Sequence, residues 1–498
     1  MSLWTEAAIA AALGLEAGVD DLTFASVATD TRAMGAGDLF VALAGEHHDA
    51  HDLLDRAAAA GARGAVVARM PPGAPSHLRY YVVADTLRAL GDLARFARRR
   101  SPARICAITG SNGKTTTKEI LRAILATRHV VHATRGNLNN LIGVPITLLE
   151  MPAGTEAAVV ELGTNVPGEV ARLAGIVEPD AAVVTNISAE HLEGLGDLDG
   201  VLREETAVLP WLPAAGVAVV PDEPAAVAQR ARASTSSVRI AGLSDRADAD
   251  LFGENVHVDA DGCVRFRWRN RDVALRLRGR HNARNALLAF ALGDAWGLDA
   301  DAMIAAAATV EPPAMRSEIR RVGAMTLVVD CYNANPGSVR AAAELLADLP
   351  RGSGRVAVLG TMRELGPTSA ALHEETARDV AALDLDLVVA TGDFADAFAS
   401  LAQRMGDRLV KERDPIVAFD RFAPLLSGGE TVLLKASRGV ALERLLARFE
   451  ERWGVLHPHG EAFGPRESST GSGVGRHVAP QEHTPTRQRA RGAGTEMN

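Results

Sequence analysis

The stretch ITGSNGKTTTKE, residues 108–119, sets a glycine turn, a lysine and three threonines between a β-branched strand pattern and an apolar-faced helix pattern. Backbone N–H groups of Gly110, Ser111, Asn112, Gly113, Lys114, Thr115 and Thr116, together with the positive end of the helix, can cradle phosphate oxygens. In such a loop Lys114 neutralises the β and γ phosphates and the Thr115 hydroxyl binds Mg²⁺. The strict GxxxxGK[ST] pattern is not met, because Ile108 stands where its first glycine belongs; TGxxGKT remains.

Phosphate chemistry on a carboxylate needs a cation. The two anions repel by about 1 kcal/mol at 4 Å in water and about 4 kcal/mol at an effective dielectric of 20. Hard oxygen ligands should therefore gather near the loop. Glu161 ends the apolar run AAVVE, and His191 follows AAVVTN in ISAEHLEG. In a parallel sheet both fall at the carboxyl edge, beside the phosphate loop. In GRHNARNALL, His281, Asn282 and Asn285 open a helix, where Asn282 is equally a natural N-cap. Asn139 and Asn140 in GNLNNLIGVP are either ligands or turn residues.

Two further clusters follow strands late in the chain. VVDCYNANPGS places Asp330, Tyr332, Asn333 and Asn335 after one strand, and LLKASRG places Lys435, Ser437 and Arg438 after another. Ligands bind at such strand ends, although turn chemistry explains the same residues. Near the start, TDTRAMGAGDLFVAL and GEHHDAHD offer Thr31, Arg32 and His51 for an anionic ligand, or for loop carbonyls.

These residues must be positioned by alternating strands and helices. RGAVVA and YYVVAD alternate with HDLLDRAAAAGA; ICAIT, AAVVEL and AAVVTN alternate with TTTKEILRAILAT and NARNALLAFALGDAW; MTLVVD, RVAVLG, LDLVVATG and TVLLKA follow. The expected fold is α/β, with parallel, doubly wound sheets. The 498 residues suit about three domains at roughly 150 residues each. A boundary is expected in RFARRRSPAR and another at Pro312-Pro313, dividing the chain into residues 1–101, 102–312 and 313–455. Residues 457–498 lose all periodicity and read as a disordered tail.

The net charge of −9 and the lack of a long basic run leave no nucleic-acid footprint. Three widely spaced cysteines argue against a disulfide framework and for a reducing, cytosolic setting. The first residues read as a helix rather than a leader peptide, and no apolar run reaches the ~18 residues of a membrane span. Arginine has displaced lysine almost everywhere: the lysines are Lys114, Lys118, Lys411 and Lys435. Each survivor is expected to have a specific task. No guanine-reading NKxD follows, which weakens a GTPase-like nucleotide switch.

Taken in order over residues 29–448, TDTR, GDLFVAL, TGSNGKTTTKE, GNLNNLIGVP, ELGTN, HLEGLG, GRHNARNAL, DCYNANPGS, GTMRELG and KASRG resemble the Mur ligases. The set is most similar to the branch that adds D-alanyl-D-alanine to UDP-N-acetylmuramoyl-tripeptide. The resemblance implies three domains: a UDP-sugar-binding α/β domain, a central ATPase domain and a Rossmann-like third domain. It also implies an ATP- and Mg²⁺-dependent amide ligase, and a monomer is expected. Asn139, Asn140, His281, Asn282 and Asn285 would lie around ATP, with Asn285 nearest the adenine. Glu161 and His191 would hold Mg²⁺, Arg316 and Asp330 would close over the nucleotide, and Lys435, Ser437 and Arg438 would face the dipeptide. Thr31, Arg32, His51, Asn333 and Asn335 complete the expected substrate contacts. The chain departs from the family at one point. Where most Mur ligases carry a carbamoylated lysine that holds a second Mg²⁺, this chain has Glu205, with Glu204 as a second candidate. A folylpolyglutamate-type ligase or another Mur enzyme is the nearest alternative.

Overall fold

The computed structural model describes residues 4–18, 21–45, 48–235 and 237–454. The tail assigned to residues 457–498 lies outside them. The first turn of chain is a helix as expected, Glu6–Leu13, capped by the Thr5 hydroxyl and ended by Gly14 in the left-handed region. It precedes a four-stranded parallel sheet of Val27–Ala28, Leu39–Val41, Gly64–Val67 and Arg79–Val82.

The basic run RFARRR is the end of a fifteen-residue helix, Thr86–Arg100, started by the Asp85 side chain. Its arginines grip the next layer. Arg98 donates to the Val177 and Glu178 carbonyls and to Asp180, while Arg95 and Arg99 both reach Glu178.

Beyond it lies a six-stranded parallel sheet in the order Ser237–Ala241, Val217–Pro221, Ala181–Val184, Arg104–Thr109, Ala157–Glu161, Val131–Ala133. Its strands are apolar on both faces because both are covered. Cys106 and Ile108 pack toward the helices Lys114–Leu125 and His281–Ala295, whereas Ile105 and Ala107 pack toward Glu169–Val177 and Gly143–Leu149. The strand that feeds the glycine loop is flanked by the strands ending at Val184 and Glu161, so three carboxyl ends meet at one edge.

A further sheet of six strands runs Glu318–Val322, Met325–Asp330, Thr431–Lys435, Arg355–Leu359, Leu387–Ala390, Leu409–Lys411. The four strands expected from sequence are all present. The first strand is antiparallel to its neighbour, a hairpin turned at Gly323 with φ +58.

The α/β fold with its parallel sheets is as expected, and it carries one addition that the sequence reading did not name. Glu254–Val258, Cys263–Trp268 and Arg271–Arg278 form an antiparallel sheet. Its alternate residues Val264, Phe266, Trp268, Val273, Leu275 and Leu277 are buried against the helix His281–Ala295, with Trp268 stacked on Phe290 at 4.7 Å. That helix is therefore covered on all sides, which its nearly all-round apolar sequence requires. Among the described residues, no helix is long and apolar enough to cross a membrane.

Candidate functional site at the phosphate loop

The chain turns from Thr109 into the helix Lys114–Leu125 through two glycines in the left-handed half of φ space, Gly110 at +119 and Gly113 at +85. A Cβ on Gly110 would lie 2.2 Å from the Thr185 hydroxyl, and one on Gly113 would lie 2.4 Å from the Asn285 side chain. Both positions thus demand glycine twice over, by backbone and by space. No side chain caps the helix that follows. Its open first-turn N–H groups and dipole favour a bound anion.

The loop is held from one side by the segment after Val184. Ser111 N–H donates to the Asn186 carbonyl and Asn112 N–H to the Asn186 side chain, at 2.9 and 2.6 Å. Ser111 Oγ donates to the Ser188 carbonyl at 3.1 Å and accepts from Ser188 N–H at 2.9 Å. Thr116 is buried in the first turn. Lys114 bends back onto the Gly110 carbonyl.

Around that ammonium stand three buried glutamates. Glu190 approaches Lys114 Nζ at 4.0 Å. Glu205 accepts the Gly110 N–H at 2.6 Å through Oε2. Glu161 Oε1 accepts from the Thr115 hydroxyl at 3.3 Å and from Asn139 Nδ2 at 3.0 Å. Each glutamate keeps one buried oxygen without a hydrogen-bond partner: Glu161 Oε2, Glu190 Oε1 and Glu205 Oε1. Burial, reinforced by Glu205 and opposed by Lys114, pushes the Glu190 carboxyl up to about 8. Burial raises Glu205 as well, against Lys114 and the Gly110 N–H. Burial disfavours the charge on Lys114, yet Glu190, Glu205 and Glu161 outweigh it, so its pKa lies above the usual lysine value.

Glu190 is the residue that sequence reasoning missed. It stands beside His191 in the loop that begins ISAEHLEG, where side-chain direction follows no regular period. His191 adopts φ +51, and its Nε2 lies 3.9 Å from Glu190 Oε2. Its Nδ1 meets the carboxylate of Glu364, in the loop after the strand Arg355–Leu359 of the far sheet. Burial holds the imidazole below its ordinary pKa, against the pull of Glu364. Glu204 is fully spent elsewhere, accepting from Thr164 Oγ1 and the Gly168 and Val170 N–H groups.

The asparagines divide. Asn139 reaches Glu161, whereas Asn140 caps the turn into the helix Gly143–Leu149 by accepting from Ile142 and Gly143 N–H. Asn282 is no N-cap: the helix begins at His281 after Arg280. Its amide donates to the Arg278 carbonyl at 2.7 Å, contacts His281 Nε2 at 3.2 Å and accepts from Asn285 at 2.8 Å. That chain ends on the side chain facing Gly113.

Two groups from segments flanking the far sheet's strands reach the loop. Arg316 donates to the Thr115 hydroxyl at 3.2 Å and stacks over Tyr332 at 4.3 Å. Asn335 and Asn112 exchange side-chain amide bonds at 2.9 and 3.2 Å. Asn335 also caps the helix Pro336–Asp348. It is 1% exposed, so its side chain is occupied as a clasp and cap rather than held out for substrate. Asp330 and Lys435, opposite each other in register, pair at 3.2 Å, and Lys435 also donates to the Asn333 carbonyl at 2.6 Å. Ser437 is buried between Arg363 N–H and the Ala334 carbonyl. Asn333 is exposed, and Arg438 is exposed and paired with Glu443.

The early candidates are not gathered with these. Both His51 nitrogens are used, by Asp49 and by the Ala68 N–H. Arg32 is clasped by Asp30 in its own turn and is otherwise exposed, and Thr31 is half-buried beside it.

Among the described residues no three acidic, His or Cys side chains converge as a ready-made metal cluster. Mg²⁺ seldom uses one: it keeps several waters and takes one or two carboxylates together with substrate phosphates. Unpartnered, buried carboxylate oxygens beside a phosphate loop fit that habit.

A parallel sheet with this loop at its carboxyl edge, walled by carboxylates and met by a second α/β sheet, defines a class of nucleotide-phosphate-binding proteins. Residues 108–293 match the Mur ligase middle domain, and residues 315–438 match the Mur ligase glutamate ligase domain. The UDP-N-acetylmuramoyl-tripeptide--D-alanyl-D-alanine ligase of Escherichia coli is 37% identical over 439 residues, covering 86% of this chain and 95% of that protein. MurF from Acinetobacter baumannii has a TM-score of 0.81 at 32% identity, covering 90% of this chain and 99% of that one. The MurF ligase of Thermotoga maritima, solved in complex with ADP, gives 0.76 at 26% identity, covering 87% and 99%. The chain belongs to the Mur ligase family.

Proposed function

We propose that this chain is an ATP-dependent amide ligase that joins D-alanyl-D-alanine to UDP-N-acetylmuramoyl-tripeptide, working in the cytosol. The carrying observation is that Arg316, just before the first strand of the far sheet, and Asn335, in the loop after its second strand, bond directly to the phosphate loop. These contacts support a reading in which nucleotide and acceptor sites share one cleft. The names of the relatives supply the substrates.

In the reaction the tripeptide carboxylate attacks the γ-phosphorus and ADP leaves. The dipeptide amine then attacks the acyl carbon, phosphate departs with the C–O bond, and the amine loses a proton. No nucleophilic side chain takes part, so the protein contributes position and charge. Lys114 offsets phosphate charge, and the open first turn of its helix binds the phosphates. Arg316 brings a second cation to Thr115. Asn139, His281, Asn282 and Asn285 border the nucleotide. Asn333 and Arg438 remain exposed toward acceptor. Thr115, Glu161, His191 and Glu205 would hold Mg²⁺. When bound, the cation screens the repulsion between carboxylate and phosphate.

Glu205 deepens this assignment, because its unpartnered oxygen supplies charge without carbamoylation. Glu205→Ala should lose most turnover, and stripping bicarbonate should leave the natural protein unaffected. Full activity of Glu205→Ala at limiting Mg²⁺ would exclude that role. The reaction itself is tested by ADP release with the UDP-tripeptide and the dipeptide each omitted in turn. Release that needs no UDP-sugar would favour a nucleotide switch, and preference for another amino acceptor would favour a sister ligase.

A further inference from the structure

The contact between His191 and Glu364 joins two residues that both hold left-handed backbone, φ +51 and +63. Neither is glycine, and such conformations persist only where the surroundings fix them. Here the surroundings do so repeatedly. Glu193 N–H donates to the Glu364 carbonyl at 3.1 Å. Gly366, at φ +56, passes so close that a Cβ would lie 3.1 Å from Glu193 Cα. Leu192, Leu195 and Val201 are buried together, with Leu372 of the far region packed against them. The Glu364 side chain is therefore delivered to His191 by a built seam, although it is itself half exposed.

An imidazole has two nitrogens, and the partner of one sets the state of the other. A carboxylate accepts, so Nδ1 carries the proton. Nε2 is then the lone-pair nitrogen, and it lies 3.9 Å from Glu190 Oε2, the oxygen opposite the buried, unpartnered Oε1. Without Glu364 the ring is free to rotate and to place its proton on Nε2, which would turn a donor toward the pocket.

We infer that Glu364 is a positioning residue for His191: it fixes the ring and its tautomer so that Nε2 presents a lone pair to the phosphate pocket. Glu364 follows the strand Arg355–Leu359 of the far sheet, while His191 belongs to the loop after Ala181–Val184. The pocket is thus complete only when the two sheets are docked, and docking is read by one nitrogen atom. This rests on the proposed role of His191 toward Mg²⁺.

Two readouts test it. Long-range ¹⁵N–¹H imidazole spectra of the full-length protein, with His191 assigned by its loss in His191→Asn, report the tautomer. The Mg²⁺ concentration giving half-maximal ligation reports the grip. The natural protein should show the Nδ1–H form. Glu364→Ala should move toward Nε2–H and raise the Mg²⁺ requirement roughly 10- to 100-fold. Glu364→Gln, whose amide oxygen still accepts, should fall between. An unchanged tautomer in Glu364→Ala overturns the inference, as does a lower kcat with an unchanged Mg²⁺ requirement, which would leave Glu364 as a docking contact alone. The Mg²⁺ requirement of His191→Asn reads the underlying assignment separately. If it is unchanged, the metal role of His191 falls and this inference falls with it, while ligation of the two substrates would still stand.

Discussion

Glu161, Glu190 and Glu205 all act on the Lys114 ammonium, and Lys118 Nζ adds a second cation 3.9 Å from Glu161 Oε2; three carboxylates against two ammonium groups are tolerable only if at least one carboxyl is neutral or a further cation arrives. Removing the lysine should show this. Lys114→Ala is expected to abolish turnover and to lower the melting temperature, because the buried carboxylates lose their counter-charge. Adding Glu190→Gln to Lys114→Ala should restore much of the stability and none of the activity. A double variant no more stable than the single one would disprove the coupling. The pH dependence has a definite sign. Glu190 titrates near 4.5 when unfolded and near 8 when folded, so between these values the native protein binds more protons and its stability falls as pH rises. In nucleotide- and Mg²⁺-free protein, the melting temperature of Glu190→Gln should gain on that of the natural chain from pH 5 to pH 8 and stay level above. A constant offset over that range would count against the raised pKa.

At the scale of elements, the helix Pro336–Asp348 begins with a capping box in which the Asn335 side chain accepts from Ser338 N–H while Ser338 Oγ accepts from Asn335 N–H. Asn335→Ala should cost about 1 kcal/mol in chemical denaturation and also raise the KM for ATP, because the clasp on Asn112 goes with it. Asn335→Ser supplies a capping hydroxyl without adding a buried charge, so it should retain most of the stability but still raise the KM. Equal KM values for Ser and Asn would remove the clasp from the argument. The helices and strands around this site were legible because glycine, lysine and threonine at the loop, and β-branched runs before it, leave few other folds. The antiparallel sheet was not. CVRFRW and RDVALRLR alternate apolar residues with arginine, a pattern that reads as polar surface until one asks what covers the helix His281–Ala295. At the site, residue types pointed to Glu161 and Asn139, and the resemblance to the Mur ligases pointed to Arg316. Types alone could not reveal that Asp330 and Lys435 satisfy each other, that His51 is spent on Asp49 and Ala68, or that Glu190 turns inward at a left-handed residue. Those facts depend on register and backbone direction, which local sequence does not encode.

Across the whole molecule, the regions of the two six-stranded sheets bring residues more than two hundred positions apart, such as Asn112 and Asn335, into one cleft. The scarcity of lysine takes on a meaning there. An acyl phosphate in that cleft would modify any uncharged amine within reach, the protein's own included. Lys114 is held cationic by the glutamates, Lys118 is buried with its amine donated to the Thr134 and Gly136 carbonyls, and Lys435 is buried between Asp330 and Asn333. An ammonium already donating its protons has no lone pair to attack with, and arginine in place of lysine elsewhere offers none at neutral pH. These three lysines are thereby protected from acylation while the activated intermediate waits for its partner. Prolonged incubation with ATP and the UDP-tripeptide, dipeptide withheld, should leave the intact protein mass unchanged; an adduct of tripeptide mass on Lys114 or Lys435 would show that these amines are not kept in check.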